Sequence, residues 1–199
     1  MQAGYTVIVS QLDSGKWQAF RNGQQIDSKD LSIGPNSVDV TLHQKILIPT
    51  FPDDLGVLDP YDADCGVDWQ EIIIPETGYQ LAIGECVLGA VNERFSCMVP
   101  YAHNGMHYHF KPDIDGRSTV GRIFLQVHQT AGFGDYGFCG AFTLEIKNSF
   151  TAPIVIYPHM RIAQVFFNQV LLPVSYSGAY SREDHFDGPV APVLGRDRF

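Results

Sequence analysis

At 199 residues, 45% hydrophobic and 18% charged, the chain is long enough for one sizeable core and has the composition of a folded domain rather than a disordered one. A net charge of −9 argues against a nucleic acid polymer as partner, because such proteins present a basic face. A small anionic ligand is still allowed, since it needs only a few local arginines and free N–H groups.

No apolar run reaches the ~20 residues needed to span a bilayer. Met1 to Trp17 lacks the basic start and apolar centre of a secretory signal, so a cytoplasmic protein with no membrane partner is expected. Cys65, Cys86, Cys97 and Cys139 form no C-x-x-C pair and read as free thiols. Zinc-dependent base deaminases carry H-x-E with P-C-x-x-C. Neither pattern occurs, so no catalytic zinc is expected.

In chain order, Tyr5 to Val9 alternates and predicts a short strand, followed by turn signals at Asp13-Ser14-Gly15 and Asn22-Gly23. Ile33 to Ser37 reads as a turn. Val38 to Leu42 predicts a strand with Val38, Val40 and Leu42 inward and Asp39 solvated on the polar face. Lys45 to Pro49 predicts the next strand. Phe51 to Gln70 is rich in Asp, Pro and Gly without EF-hand spacing, and reads as an acidic surface loop. Glu71 to Pro75, Tyr79 to Ile83 and Cys86 to Val91 predict three more strands. Strands at short spacing with few helical signals predict an all-β sandwich or barrel.

His103, His107 and His109 read as a His-rich surface loop rather than a catalytic metal site. Gly116-Arg117-Ser118-Thr119 opens a one-turn helical pattern, with Ser118 and Arg122 on one face. Such a turn offers free N–H groups to phosphate, although Ser118 also fits a plain N-cap. Thr130 to Gly140 reads as a glycine-rich hairpin whose aromatics can flank a base or sugar. In Ala141 to Lys147, Phe142, Leu144 and Ile146 alternate with Thr143, Glu145 and Lys147. By alternation alone Glu145 is a solvated strand residue. Pro153 to Tyr157 and Arg161 to Phe167 predict a hairpin. Tyr176 to Phe199 is an aperiodic polar tail.

The order and spacing of GRSTVGR, QVHQTAGFGDYGFCG, FTLEIKN and RIAQVFF, with Pro35-Asn36-Ser37-Val38-Asp39-Val40 and Glu85 to Gly89 before them, resemble the dCTP deaminase branch of the dUTPase superfamily. The likeness runs, with gaps, from about Ile33 to Phe167. It implies a single dUTPase-like domain over 1–199, a distorted β-barrel or jelly-roll with a few short helices, whose tail from 176 to 199 closes over the active site. It implies a homotrimer with active sites between subunits. It also implies hydrolytic, metal-free deamination of a deoxycytidine nucleotide, above all dCTP to dUTP and ammonia, with Mg²⁺ carried by the nucleotide phosphates.

Residue by residue, the resemblance makes Glu145 the general acid/base. It makes Ser118 and Arg122 the residues holding water and base beside it, and Ala131 the position confining the water. Asp135 and Phe138 then meet the sugar. Arg117, Ser118, Thr119 and Gln164 meet the phosphates, with Thr130, Tyr176, Tyr180 and Arg182 completing the nucleotide site. The chain departs from the pattern at Tyr136, where the family usually has proline, and at Ala179, where it offers lysine. Alternatives within the same skeleton are a bifunctional enzyme releasing dUMP and pyrophosphate, a dCMP-type deaminase, a plain dUTPase and a non-catalytic nucleotide-binding trimer. Leu144 to Asn148 matches the deaminase strand, and the tail lacks the Gly-rich phosphate grip of dUTPases.

Overall fold

A computed structural model describes residues 2–52, 56–62, 67–177 and 188–192. Its strands in chain order are β1 (Gln18–Arg21), β2 (Gln24–Ile26), β3 (Ser32–Ile33), β4 (Val38–Thr41), β5 (Lys45–Thr50), β6 (Asp68–Ile73), β7 (Tyr79–Leu81) and β8 (Cys86–Ala90). There follow β9 (Glu93–Ser96), β10 (Tyr101–His103), β11 (Met106–Gly116), β12 (Leu125–Gln126), β13 (Thr143–Asn148), β14 (Ile154–Ile156) and β15 (Arg161–Val170). Helices are α1 (Tyr5–Asp13), a 3-10 turn at Ser28–Asp30 and α2 (Ser118–Gly121). None is long and apolar enough to cross a membrane.

Two five-stranded sheets dominate, ordered β10-β11-β15-β4-β3 and β12-β13-β8-β5-β6, with antiparallel pairing throughout. Strand alternation drives their packing. Val38 and Val40 of β4 and Val165 and Phe167 of β15 point into one buried cluster with Ile46, Val87, Leu144 and Ile146 of the other sheet. Trp17 fills one end of it, its ring 4.9 Å from Phe167 and 5.6 Å from Phe110. The all-β expectation holds.

Four local expectations give way. Tyr5 to Val9 lies in helix α1, not in a strand: Ile8 and Gln11, three apart, are its buried residues, and Tyr5 is 54% exposed. Alternating Val and Ile suit both periods, and only the surface that buries Ile8 decides between them. His103, His107 and His109 lie on β10 and β11, an antiparallel hairpin rather than a loop. Asn104 and Gly105, at φ 49° and 74°, supply its positive-φ turn. The glycine-rich stretch is an open arc between β12 and β13, which pair with each other. Finally, β14 pairs with β7 whereas β15 pairs with β11 and β4, so Pro153 to Phe167 is not a hairpin. The intervening turn is held instead by Leu42: its N–H donates to Met160 O and its carbonyl accepts from His159 N–H, both at 2.9 Å.

Candidate active site

Strand β13 fixes the first functional group. Leu144 and Ile146 are fully buried, so Thr143, Glu145 and Lys147 face away from the core, with Glu145 opposite Leu88 of β8. Glu145 is half-buried; its Oε2 accepts the Gln129 N–H at 3.1 Å, and its backbone carbonyl accepts from Gln129 Nε2 at 3.4 Å. The other oxygen, Oε1, has no partner among the described residues. Glu145 borders a cavity of about 450 Å³ that is also lined by Ala131, Asp135, Phe138 and Tyr176, together with Trp69, Leu88, Phe133 and Thr143. That volume suits a small-molecule ligand. Five of the residues singled out by sequence therefore meet in one place.

The glycine-rich arc reaches this cavity by lying on the backbone of β11. Ile114 N–H donates to Gly132 O at 2.8 Å, and Gly134 N–H donates to Asp113 Oδ1 at 2.8 Å. A Cβ on Gly134 would stand 2.1 Å from Pro112 O, and one on Gly132 would stand 2.4 Å from Ile114 O. The approach is possible only without side chains. Lys111, buried beneath, ion-pairs with Asp113 and donates to Gly134 O at 2.8 Å, while Asn168 Nδ2 donates to Asp113 Oδ2 at 2.8 Å. The Lys111 ammonium also lies 3.0 Å from the centre of the Phe133 ring. Each buried charge is thus paired and hydrogen-bonded, as burial requires.

The GRST turn forms a second depression of about 380 Å³, lined by Asp115 to Ser118, Gly121, Phe124 to His128 and Ser149. It shares no lining residue with the first. Arg117, not Ser118, is the N-cap of α2, and Arg122 is its C-cap. Ser118, Thr119, Arg122 and Thr130 are exposed. Within one chain, then, Ser118 lines a different depression from Glu145, and Arg122 lines neither.

Asp39 organises the rest. Its Oδ2 lies 3.2 Å from both Arg117 Nη2 and Arg161 Nη1, and its Oδ1 accepts from Gln164 Nε2 at 2.9 Å. It is not a solvated strand residue: its side chain is 11% exposed. Two guanidiniums against one carboxylate leave a local positive surplus on a chain of net charge −9. Tyr180 and Arg182 lie outside the described residues. Among those described, no group of three or more His, Cys, Asp or Glu is placed to hold a metal ion.

The dCTP deaminase-like family model matches residues 16–170. The chain is 35% identical over 182 residues to "dCTP deaminase, dUMP-forming" of Dictyoglomus turgidum, covering 86% of each protein. It is 37% identical over 141 residues to the protein of that name from Cytophaga hutchinsonii, covering 71% of this chain and 70% of that one. The chain belongs to the dCTP deaminase-like family.

A solved 2'-deoxycytidine 5'-triphosphate deaminase from Agrobacterium tumefaciens superposes with a TM-score of 0.55 at 18% identity, over 83% of this chain and 48% of that longer one. The fold is the all-β, dUTPase-like one of this family. Several residues around the cavity and the Asp39 cluster were not singled out by the sequence. Trp69 sits inside what reads as an acidic loop, yet β6 carries it to the cavity wall. A lone tryptophan among aspartates was the available hint. Arg161 and Gln129 are positioned only by the register of distant strands and by the arc.

Proposed function

We propose that this member of the family catalyses hydrolytic deamination of dCTP. The observation carrying the proposal is Glu145, held by Gln129 on one oxygen and lining a cavity that also presents Ala131, Asp135 and Phe138. Glu145 takes a proton from water as the oxygen adds to cytosine C4, and delivers it to N3. From the tetrahedral adduct a proton passes to the amino group, the C4–N bond breaks, and ammonia leaves with the uracil nucleotide. Water supplies the oxygen and both protons, so the step needs no other reactant. Positioned proton transfer of this kind is worth about 10²–10⁴-fold.

Ser118 and Arg122 complete this centre from a neighbouring copy, which accounts for Ser118 lining a separate depression in one chain. The assembly is a homotrimer with sites between subunits. Arg117, Thr119 and Gln164 take the phosphates, with Thr130 beside them and the Asp39 cluster holding the guanidiniums in place. Mg²⁺ arrives on the triphosphate and neutralises its charge there; Asp39, already shared among three donors, is not needed as its ligand. The tail from Tyr176, including Tyr180 and Arg182, closes over the nucleotide as part of one domain. Its described part supports this: Val190 N–H donates to Thr143 Oγ1 at 3.2 Å, and Val190 and Pro192 line the cavity.

Incubating the protein with dCTP and Mg²⁺ should release ammonia. Binding without ammonia from dCTP, dCDP or dCMP would instead identify a nucleotide-binding module. A second reading is favoured by the two relatives' shared name, "dCTP deaminase, dUMP-forming". In it the same site continues to dUMP and pyrophosphate, with exposed Asp135 near the phosphate cleavage. Pyrophosphate in the same assay separates the readings, and Asp135→Asn should lower pyrophosphate more than ammonia.

A further inference from the structure

Tyr136 and His109 are left unused by the deamination chemistry, yet they touch. The Tyr136 hydroxyl donates to Met98 O at 2.9 Å and lies 3.2 Å from His109 Nδ1. A phenol has one proton to give. With that proton directed to Met98, His109 must offer Nδ1–H to the phenol oxygen, which sets its tautomer. The rings meet edge-on, 5.6 Å apart at 75°. Burial pushes the Tyr136 pKa above its ordinary 10.0, keeping the donor proton in place.

The same residue also holds the chain where it leaves the sheet. His109 pairs with Val170, the last residue of β15. Beyond it Leu171, Leu172 and Val174 are 81%, 93% and 86% exposed. The chain is caught again at Tyr176, whose N–H donates to Tyr136 O at 2.7 Å. Gly137, at φ +88°, leaves room for this approach: a Cβ there would stand 3.3 Å from Tyr176 N and from Met98 Sδ. The Tyr176 ring then meets Phe138 at 6.3 Å, and both line the cavity beside Glu145.

We infer that Tyr136 and His109 form a clasp that fixes the exit segment 171–176 against the glycine-rich arc, making Tyr136 a positioning residue for the sugar and phosphate end of the nucleotide. The inference rests on the nucleotide reading of the cavity proposed above. The clasp sets where Tyr176 and Phe138 stand and where the tail begins. It does not touch the carboxylate that moves protons, so its loss acts on binding.

Tyr136→Phe keeps the ring and the carbonyl acceptor and removes both hydroxyl hydrogen bonds. KM for dCTP should rise about tenfold while kcat stays within about twofold. His109→Ala should move KM the same way. His109→Asn should return it toward wild type, because the Asn amide N–H stands where Nδ1–H stood. Amide hydrogen exchange at Tyr176, measured without nucleotide, should quicken about tenfold in Tyr136→Phe. Unchanged exchange at Tyr176 overturns the clasp, whether or not the protein turns over dCTP. Faster exchange with unchanged KM, or with a fall in kcat alone, overturns the positioning role. Faster exchange in a protein that neither binds nor deaminates dCTP refutes the nucleotide reading, and with it that role, while the clasp itself stands. Thermal midpoints of the three variants separate each result from unfolding.

Discussion

Glu145 lines the cavity with one carboxylate oxygen tied to the Gln129 N–H and the other without a partner among the described residues, an arrangement that fixes the group and leaves one oxygen available for the proposed proton transfer. Glu145→Gln keeps the shape and an acceptor for Gln129 but cannot cycle a proton. Ammonia release should fall at least about 10²-fold with an unchanged thermal midpoint. Unaltered turnover would remove Glu145 as the base. A second residue-scale expectation concerns the thiols. Burial pushes Cys97 up to about 12 from 9.0, and its Sγ–H donates to Phe110 O at 3.2 Å, whereas Cys86 is exposed. At pH 8 alkylation mapped by mass spectrometry should mark Cys86 and spare Cys97 until the chain is denatured. The sign of the linkage follows: the folded chain holds the Cys97 proton more tightly than the unfolded one. That contribution to stability is complete below pH 9 and is lost as pH rises toward 12. Cys97→Ser should flatten the alkaline limb of the denaturation midpoint. The position of Glu145 on an outward strand face was legible from alternation. Its grip by Gln129 was not, because that bond forms only once the arc folds back.

Among the elements, the arc from Val127 to Phe142 shows most clearly how local sequence and packing divide the work. Its glycines announced unusual backbone, but not that the backbone would lie on β11. Gly134→Ala would drive a Cβ against Pro112 O, a backbone atom that cannot swing aside. The cost should be about 1–3 kcal/mol in chemical denaturation, with loss of activity because Asp135 is the next residue. Gly121→Ala, with nothing within 4 Å of the added Cβ, should be neutral or slightly stabilising. Equal stability of Gly134→Ala and wild type would show that the arc does not pack on β11. The His-rich hairpin illustrates the opposite case: Asn104-Gly105 carries a local turn signal, and the reading of the histidines as a loop passed over it. Helix α1 was misread because β-branched residues favour strands on average, and only the surface covering Ile8 selects the helix.

At the scale of the whole molecule, the separation of the two depressions carries the proposed trimer. If Glu145 and Arg122 act in one site but on different copies, the inactive variants Glu145→Gln and Arg122→Ala should complement one another. Unfolding and refolding them together at equal amounts should restore activity to about a quarter of the wild-type sites, read as ammonia release. No recovery in mixed trimers would place both residues in the same copy. The sequence by itself determined the strand-rich class, the outward face of β13, the one-turn helix after Gly116 and the family, because alternation, turn chemistry and motif spacing are written within short windows. Only the tertiary structure decided that Asp39 gathers Arg117, Arg161 and Gln164, that Trp69 walls the cavity and that Tyr136 meets His109. Arg161 and Asp39 stand 122 positions apart, and no local period encodes such a meeting. It follows from the register of β15 against β4, which the shared core imposes by burying Val165 and Val38 together.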